Sequence, residues 1–284
     1  MIYLVKRIVI LVFFISSVFN VHSIYSQHTG IYFFSTEKVF EPTRASVFEP
    51  RVGFLKNVTD KNLRLDIGIG IDLIGLHEDD AQYSFGVDAF TFSNLRSESN
   101  FKFPVDAIDY FFSVNFNYKR SLKNDLFISS RLRVSHISSH LQDGHVYERA
   151  DTIFTPFTYS REFLDIAVVM DKFFERSLIK NLFAVNFLLS TIPDDFCLFS
   201  FQYGIEVQYY LHELLSLYFS NDLKLVKVRG KKNLNENLEM GIRIGKYNSR
   251  GVNLFFSYYD GQDYKGQYYK RYLNYKAIGM SVDF

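Results

Sequence analysis

The sequence has no tryptophan, a single cysteine and only five prolines among its 284 residues. The lone cysteine, Cys197, excludes an intramolecular disulfide framework and any metal cluster held by thiolates alone. An excess of charge is missing too, since 32 basic and 31 acidic side chains leave a formal net charge of +1. That balance gives no electrostatic case for a nucleic-acid partner. The composition also excludes disordered, collagen-like and coiled-coil chains.

Phenylalanine and tyrosine are abundant instead. The chain has 31 Phe and 20 Tyr, so aromatic residues make up 18% of it. Strands favour aromatic and β-branched residues, and this composition therefore indicates a β-rich protein. Charged residues, at 22%, are too frequent for a bundle of membrane-spanning helices. A single all-β unit of this length is expected.

The first residues follow the order of a secretory signal peptide. Lys6 and Arg7 precede an apolar run at 8–19, and Val21-His22-Ser23 offers a cleavage point. The run is shorter than the roughly 20 residues that a membrane-spanning helix needs. No cysteine follows it closely, which argues against a lipid-anchored lipoprotein. We expect residues 1–23 to be a signal peptide and the mature chain to be exported; a buried N-terminal helix is the alternative.

Strict alternation marks the segment from Leu63 to Leu73. Every odd position there is Leu or Ile, and every even position is Gly, Asp or Arg. Because side chains on a strand point alternately to opposite faces, one face is continuously aliphatic. The segment has the length of a tilted strand crossing a bilayer, about 9–11 residues. A strand of a β-sandwich alternates as well, but it rarely keeps six aliphatic positions in succession.

The C-terminal residues repeat the alternation, with Ile278, Met280, Val282 and Phe284 on one face. A last strand ending in an aromatic residue resembles the signal that the barrel-insertion machinery reads in bacterial outer-membrane barrels. Counting back from this strand predicts about 12 strands, an even number as in single-chain barrels.

The predicted fold is therefore all-β, a transmembrane antiparallel β-barrel at residues 46–284, integral to a bacterial outer membrane. Residues 24–45 are expected to form a periplasmic or plug-like segment. Both termini lie on the periplasmic side in this arrangement, and residues 141–157 form the longest outward loop.

One predicted hairpin carries polar residues on its lipid-facing row. At the outer end of its first strand this row changes from aliphatic residues to His136, Ser138 and His140. On the returning strand, Ser160 and Glu162 precede an aliphatic row on the same face. If the aliphatic rows are in register, His136 lies opposite Glu162, and directly opposed Cβ atoms are ~4.5–5.5 Å apart.

A hydroxyl, an imidazole and a carboxylate on one face are the parts of a nucleophile, a base and an orienting acid. The sequence thus predicts a catalytic set of Ser138, His136 and Glu162. Two non-catalytic interpretations remain open. The polar residues can lie in the headgroup zone and hydrogen-bond lipid, where they cost little, or they can form a contact surface for a protein partner in an envelope complex.

His136-Ile137-Ser138 resembles the His-x-Ser element of outer-membrane phospholipase A and of the lipid A deacylase barrels. This resemblance implies a dyad on the outside of the barrel that hydrolyses acyl esters of outer-leaflet lipids. Ser139 stands where those families have asparagine, and the returning strand lacks the matching asparagine. Glu162 as the third member is therefore an inference from this sequence alone.

A wider set of residues resembles the barrel family catalogued as domain of unknown function 1207. The matching segments are Phe40-Glu41-Pro42, Glu49-Pro50-Arg51, His136-Ile137-Ser138-Ser139-His140 with Asp143, and Ser160-Arg161-Glu162. The resemblance implies the barrel fold and an important hairpin, and it implies no activity. Ser139, His140, Asp143, Ser160 and Arg161 are accordingly further candidate site residues.

The remaining charged residues suggest three smaller hypotheses. Asp143, His145, Glu148 and Asp151 could bind calcium through oxygen ligands, although a solvated acidic loop is the simpler account, and no other cofactor is expected. Five charged residues are expected to face the lumen and to pair with one another: Arg131, Arg133, Arg161, Asp165 and Asp171. They would fill a barrel that is too narrow for a wide pore. A narrow channel is the alternative. Outer-membrane lipid or lipopolysaccharide is the expected partner, with basic loop residues near its phosphates.

Overall fold

A computed structural model describes residues 30–35, 37–142, 148–149, 152–153, 156–246 and 249–283. Within these residues the chain forms fifteen strands and two three-residue 3₁₀ turns. The strands are β1 (Gly30–Ser35), β2 (Val52–Asn57), β3 (Asn62–Glu78), β4 (Ala81–Arg96), β5 (Val105–Leu122), β6 (Leu126–Leu141), β7 (Glu148–Arg149), β8 (Thr152–Ile153), β9 (Tyr159–Phe174), β10 (Ser177–Ile192), β11 (Phe199–His212), β12 (Leu215–Val228), β13 (Lys231–Ile244), β14 (Gly251–Gln262) and β15 (Tyr272–Asp283). Among the described residues, no helix is long and apolar enough to cross a bilayer.

Twelve strands, β2 to β6 and β9 to β15, close into one antiparallel barrel. Closure comes from β15 and β2, which pair with Val282 opposite Val52. The predicted all-β barrel of about twelve strands is confirmed. Short turns such as 79–80 and 175–176 lie at one end, and the long connections 97–104, 142–158 and 263–271 lie at the other. Outer-membrane barrels have short periplasmic turns and longer external loops, which orients the molecule.

The two faces of the wall differ as the alternation predicts. On β5, Phe112, Val114 and Phe116 point outward and are about half exposed, at 52%, 45% and 51%. The residues between them, Ser113 and Asn115, point inward and are buried. An apolar outer band around a polar interior is the arrangement that a lipid bilayer requires of a barrel. The protein is accordingly integral to the outer membrane.

The first barrel strand is interrupted. Both β1 and β2 pair with β3, with Ser35 opposite Asp72 and Gly53 opposite Asp66. Between these two pairings the chain leaves the wall, and residues 37–51 enter the lumen. We call residues 37–51 the plug.

The plug is fixed to the wall by charged hydrogen bonds. Arg44 donates to Glu206 on β11 from its backbone nitrogen at 2.7 Å and from Nη1 at 2.5 Å. Arg51 Nη1 donates to Glu239 on β13 at 2.8 Å. Both wall carboxylates are almost fully buried. Such charge-assisted hydrogen bonds are stronger than neutral ones and give the plug one defined position.

Glu49 lies at the centre of the most densely charged part of the lumen. Its carboxylate accepts from Arg131 Nη1 at 2.9 Å and Nη2 at 2.6 Å, and from Arg133 Nη1 at 3.2 Å. Arg131 and Asp165, two of the five charged residues predicted to pair in the lumen, also form an ion pair at 3.2 Å. Burial alone would raise the pKa of Glu49, but the two guanidinium groups outweigh burial and hold that pKa at about 2.

Removing this carboxylate should destabilise the barrel. Glu49→Ala removes the carboxylate nearest to two buried guanidinium groups and leaves them Asp165 and, for Arg133, the more distant Asp88. Breaking a buried ion pair in this way costs about 3–5 kcal/mol. We expect the urea concentration at the midpoint of unfolding to fall. Unfolding is monitored by heat-modifiable migration in gel electrophoresis. Glu49 contributes fully to the free energy of unfolding above about pH 4.5, the pKa of this side chain in the unfolded chain. This contribution is lost as the pH falls through about 2, its pKa in the folded barrel.

The matched control for Glu49 is Asp80, whose ion pair with Arg120 is about half exposed on both sides, at 51% and 52%. Exposed pairs contribute little to stability, so Asp80→Asn should leave the urea midpoint unchanged. Equal midpoints for Glu49→Ala and wild type would contradict an anchoring role for the plug.

The described residues place the N-terminal segment differently from the predicted boundary at 45/46. Residues 30–35 form a strand of the sheet, residues 37–51 form the plug, and β2 begins only at Val52. Residues 1–29, including the predicted signal peptide, lie outside the described residues, as does Phe284.

A second segment closes the outer mouth. Residues 263–271 between β14 and β15, which we call the cap, fold back across the lumen to β5 and β6. Gly266 N donates to Asp109 Oδ1 at 2.9 Å, and Gln267 N donates to Ser139 Oγ at 3.1 Å. The cap residues Tyr264, Tyr268 and Tyr269 are buried. The lumen is thus filled from below by the plug and covered from above by the cap.

Candidate functional site: a polar patch on the membrane face

Polar side chains interrupt the apolar outer face near the outer ends of β6, β9 and β10. We call them the outer polar patch; its members are His136, Ser138, His140, Ser160, Glu162 and Ser190. Each is partly or fully exposed on the outside of the barrel. Ionisable groups facing lipid are costly and therefore point to a function.

The predicted register of the hairpin is confirmed. Val134 lies opposite Leu164, and His136 lies opposite Glu162. His136 Nδ1 and Glu162 Oε1 are 2.9 Å apart, and the two side chains are 43% and 38% exposed. A carboxylate bonded to one imidazole nitrogen fixes the ring and its tautomer. Nε2 of His136 is then the nitrogen that remains for proton transfer.

Glu162 is also held by its own strand. Ser160 Oγ donates to Glu162 Oε1 at 2.8 Å. On the other side, Ser190 of β10 lies directly opposite Glu162 and is exposed. The carboxylate is therefore fixed between β6 and β10, which suits an orienting role.

Ser138 lies two residues beyond His136 on the same face of β6. It is opposite Ser160 on β9 and opposite Tyr110 on β5. Among the described residues, no hydrogen bond joins Ser138 Oγ to His136. In structures without substrate, catalytic hydrogen bonds are often long and tighten only when substrate binds. The arrangement thus brings a hydroxyl, an imidazole and a carboxylate to one outward face, and these are the parts of a nucleophile, a base and an orienting acid.

Apolar side chains surround the outer polar patch. Towards the membrane centre, Val134 and Ile166 are 46% and 52% exposed. On β10, Leu189 and Ile192 are 55% and 53% exposed. The Tyr110 and His140 rings meet edge to face with centroids 5.5 Å apart. The outer polar patch is therefore bordered by apolar surface on the outside of the barrel.

Two of the further candidates point inward and are not part of this patch. Ser139 is buried in the lumen and accepts from the cap residue Gln267. Arg161 stacks on the ring of Phe196 inside the barrel, with its guanidinium carbon 4.3 Å from the ring centroid. Strand alternation separates both from His136, because neighbouring residues on a strand face opposite sides.

The predicted calcium site falls on the long outer loop. Asp143, His145, Asp151 and the side chain of Glu148 lie outside the described residues, so calcium stays a prediction. Among the side chains that are described, no group of three His, Cys, Asp or Glu is placed to hold a metal ion.

Ser190 was not predicted as part of the site. The alternation on β10 is broken by a register shift between Leu188 and Ser190, and such a bulge turns the following side chains to the other face. In the sequence, the only signal is a polar residue directly after two aliphatic ones, in Leu188-Leu189-Ser190. This signal does not show on which face of the strand Ser190 lies.

Solved structures of outer-membrane phospholipase A resemble this fold. The Escherichia coli enzyme matches with 11% identity and a TM-score of 0.51, over 82% of this chain and 90% of that chain. An active-site mutant of the same enzyme at pH 6.1 gives 10% identity and a TM-score of 0.52, over 86% and 94%. The Salmonella typhi phospholipase dimer with bound calcium gives 12% identity and a TM-score of 0.51, over 83% and 90%. At these identities the likeness shows the fold alone.

Sequence comparison gives one family. The model for "Protein of unknown function (DUF1207)" matches residues 69–284, which include all strands from β4 to β15. A search of curated protein sequences finds no match for this chain.

Proposed function

Since the chain belongs to the DUF1207 family and folds as an outer-membrane barrel, we propose that its outer polar patch hydrolyses acyl esters of outer-leaflet lipids. The observation that carries the proposal is the pair of His136 and Glu162 on the membrane face, with Ser138 beside it. The resemblance to a barrel named as a phospholipase supports it.

The residues have the following roles in the proposed reaction. Ser138 Oγ attacks the ester carbonyl, and His136 Nε2 takes the hydroxyl proton. Glu162 holds the imidazole and stabilises the imidazolium that forms. When the tetrahedral intermediate collapses, His136 returns the proton to the departing alcohol, and an acyl-serine remains. Water, deprotonated by His136, then releases the fatty acid and restores Ser138.

A lipid-like fluorophosphonate tests the nucleophile directly. This reagent phosphonylates an activated serine with loss of fluoride, whereas unactivated serines do not react. We expect mass spectrometry of the digested protein to find the label on Ser138. Ser138→Ala should remove it, and His136→Ala should strongly slow labelling.

The matched control is Ser130, which lies on the same strand and outward face but near the periplasmic end. The Ser130→Ala variant should be labelled at Ser138 to the same extent as wild type. Folded wild type that is not labelled, or is labelled equally at Ser130, would contradict the proposed nucleophile.

A non-catalytic role is the second candidate. Glu162 is shared between His136 and Ser160, and such a network can also bind the polar end of a lipid. In that case the barrel acts as a structural or accessory subunit of an outer-membrane complex. It would then retain bound lipid through His136 without releasing fatty acid, and the fluorophosphonate would not react.

A further inference from the structure

A chamber lies inside the barrel between the plug and the cap. Plug residues 46–48 form its floor, and the cap residues Tyr264 and Tyr269 form its roof. Strands β9 to β14 supply the wall, and the volume is about 60 Å³. The chamber is separated by the barrel wall from the outer polar patch, so its role is independent of lipid hydrolysis.

Arg161 and Lys224 line this chamber without a partner carboxylate. No carboxylate oxygen of the described residues lies within 4.0 Å of Arg161 or Lys224. Eight other cations inside the lumen are paired with carboxylates; these are Arg44, Arg51, Arg64, Arg131, Arg133, Lys180, Arg243 and Lys265. Buried charges are normally paired. Arg161 and Lys224 therefore differ from these eight cations.

The contacts of these cations leave donors available. Lys224 Nζ donates to Asn186 Oδ1 at 2.8 Å and lies 4.9 Å from the centroid of the Phe48 ring. Arg161 Nη1 reaches Tyr159 Oη at 3.5 Å, and its buried Nε has no hydrogen-bond partner. An ammonium group has three donors and a guanidinium group has five. Lys224 and Arg161 thus line one cavity and keep hydrogen-bond donors that no carboxylate of the described residues receives.

The carboxylates that line the chamber are engaged elsewhere. Asp222 Oδ2 accepts from Gln202 Nε2 at 2.6 Å. Asp263 of the cap pairs with Lys265 at 3.6 Å. Neither carboxylate comes within 4.0 Å of Arg161 or Lys224. The positive charge of the chamber is therefore not cancelled by an ion pair within its own lining.

We propose that this chamber binds a small organic carboxylate, with its anionic end on Lys224 and Arg161. The aromatic rings of Phe48, Phe196 and Tyr269 cover the remaining wall and suit a short apolar tail. Size limits the ligand, because a cavity of roughly 150 Å³ is known to hold benzene and this chamber, at about 60 Å³, has less than half that volume. An acid of two or three carbon atoms fits these conditions.

Calorimetric titration of the full chain in detergent with propionate tests the proposal. Propionamide, the neutral analogue of the same shape, is the ligand control. We expect propionate to bind and propionamide not to bind. Lys224→Gln and Arg161→Gln should each weaken propionate binding roughly tenfold to a hundredfold, as expected for loss of a hydrogen bond to a charged group.

Lys232→Gln is the matched variant, because Lys232 is exposed at the outer end of β13. It should bind propionate like wild type. Wild type that does not bind propionate, or that binds propionamide equally well, would overturn the proposal without any variant. Folded Lys224→Gln and Arg161→Gln proteins that both bind like Lys232→Gln would overturn the placement of the site.

Discussion

A barrel that lacks both the plug and the cap is expected to conduct ions, whereas the wild-type barrel is expected to be silent. The plug and the cap are two described segments that occupy the lumen. Barrels of ~8 strands are filled by side chains alone and those of 16–18 leave a channel. A twelve-stranded wall therefore encloses a space that needs such segments to fill it. Its polar and charged lining will hold water once they are gone.

The interrupted strand shows how to remove the plug without opening the wall. Ser35 pairs with Asp72 and Gly53 pairs with Asp66, which puts Val52 opposite Ile67. Positions 68 to 71 of β3 lie between Ile67 and Asp72, so a linker of four residues between Ser35 and Val52 completes the strand. Residues 36–51 are replaced by that linker, and residues 263–271 by a short Gly/Ser turn.

Planar-bilayer recording of the two single variants and the double variant measures the effect. The double variant should pass current, and each single variant shows how far the remaining segment seals the lumen. Heat-modifiable migration on a gel checks that the barrels are folded. A folded double variant that stays silent would contradict the assignment of the plug and the cap as the filling of the lumen.

Loss of the proposed base should have the largest effect on activity. His136→Ala is expected to lower fatty-acid release from phospholipid vesicles about 10²–10⁴-fold, the usual contribution of general acid–base catalysis. Ser138→Ala should lower it at least as much, because it removes the nucleophile. Glu162→Gln keeps an acceptor for His136 Nδ1 but loses the negative charge, so its effect should be smaller than that of His136→Ala.

The neighbouring hydroxyl supplies the control for these variants. Ser160 donates to Glu162 and takes no part in the proposed proton transfer. Ser160→Ala should therefore retain most of the activity. Activity that survives His136→Ala, or that falls more with Ser160→Ala than with Glu162→Gln, would contradict the assigned roles.

Alternation explains how much of the barrel could be predicted. The aliphatic rows of β6 and β9 can be buried against lipid in only one register, since a shift of one residue turns every side chain to the other face. That constraint placed His136 opposite Glu162. The same rule separates Ser139 and Arg161 from the outer polar patch.

The plug, the cap and Ser190 could not be predicted in the same way. Glu49 pairs with Arg131 and Arg133, more than 80 residues away, and no periodic pattern connects them. Cap residue Gln267 reaches Ser139 across 128 residues. Ser190 depends on a bulge in β10. Non-local contacts and local breaks of register leave little trace in a single sequence.

The most direct test of lipid hydrolysis is mass spectrometry of phospholipids and lipid A from cells that lack the protein. These cells are complemented with wild type, with Ser138→Ala or with Ser130→Ala. An acyl chain that disappears with wild type and Ser130→Ala, and remains with Ser138→Ala, is the predicted result and identifies the substrate. Identical lipids in all four strains would contradict a hydrolase and leave the outer polar patch as a binding surface.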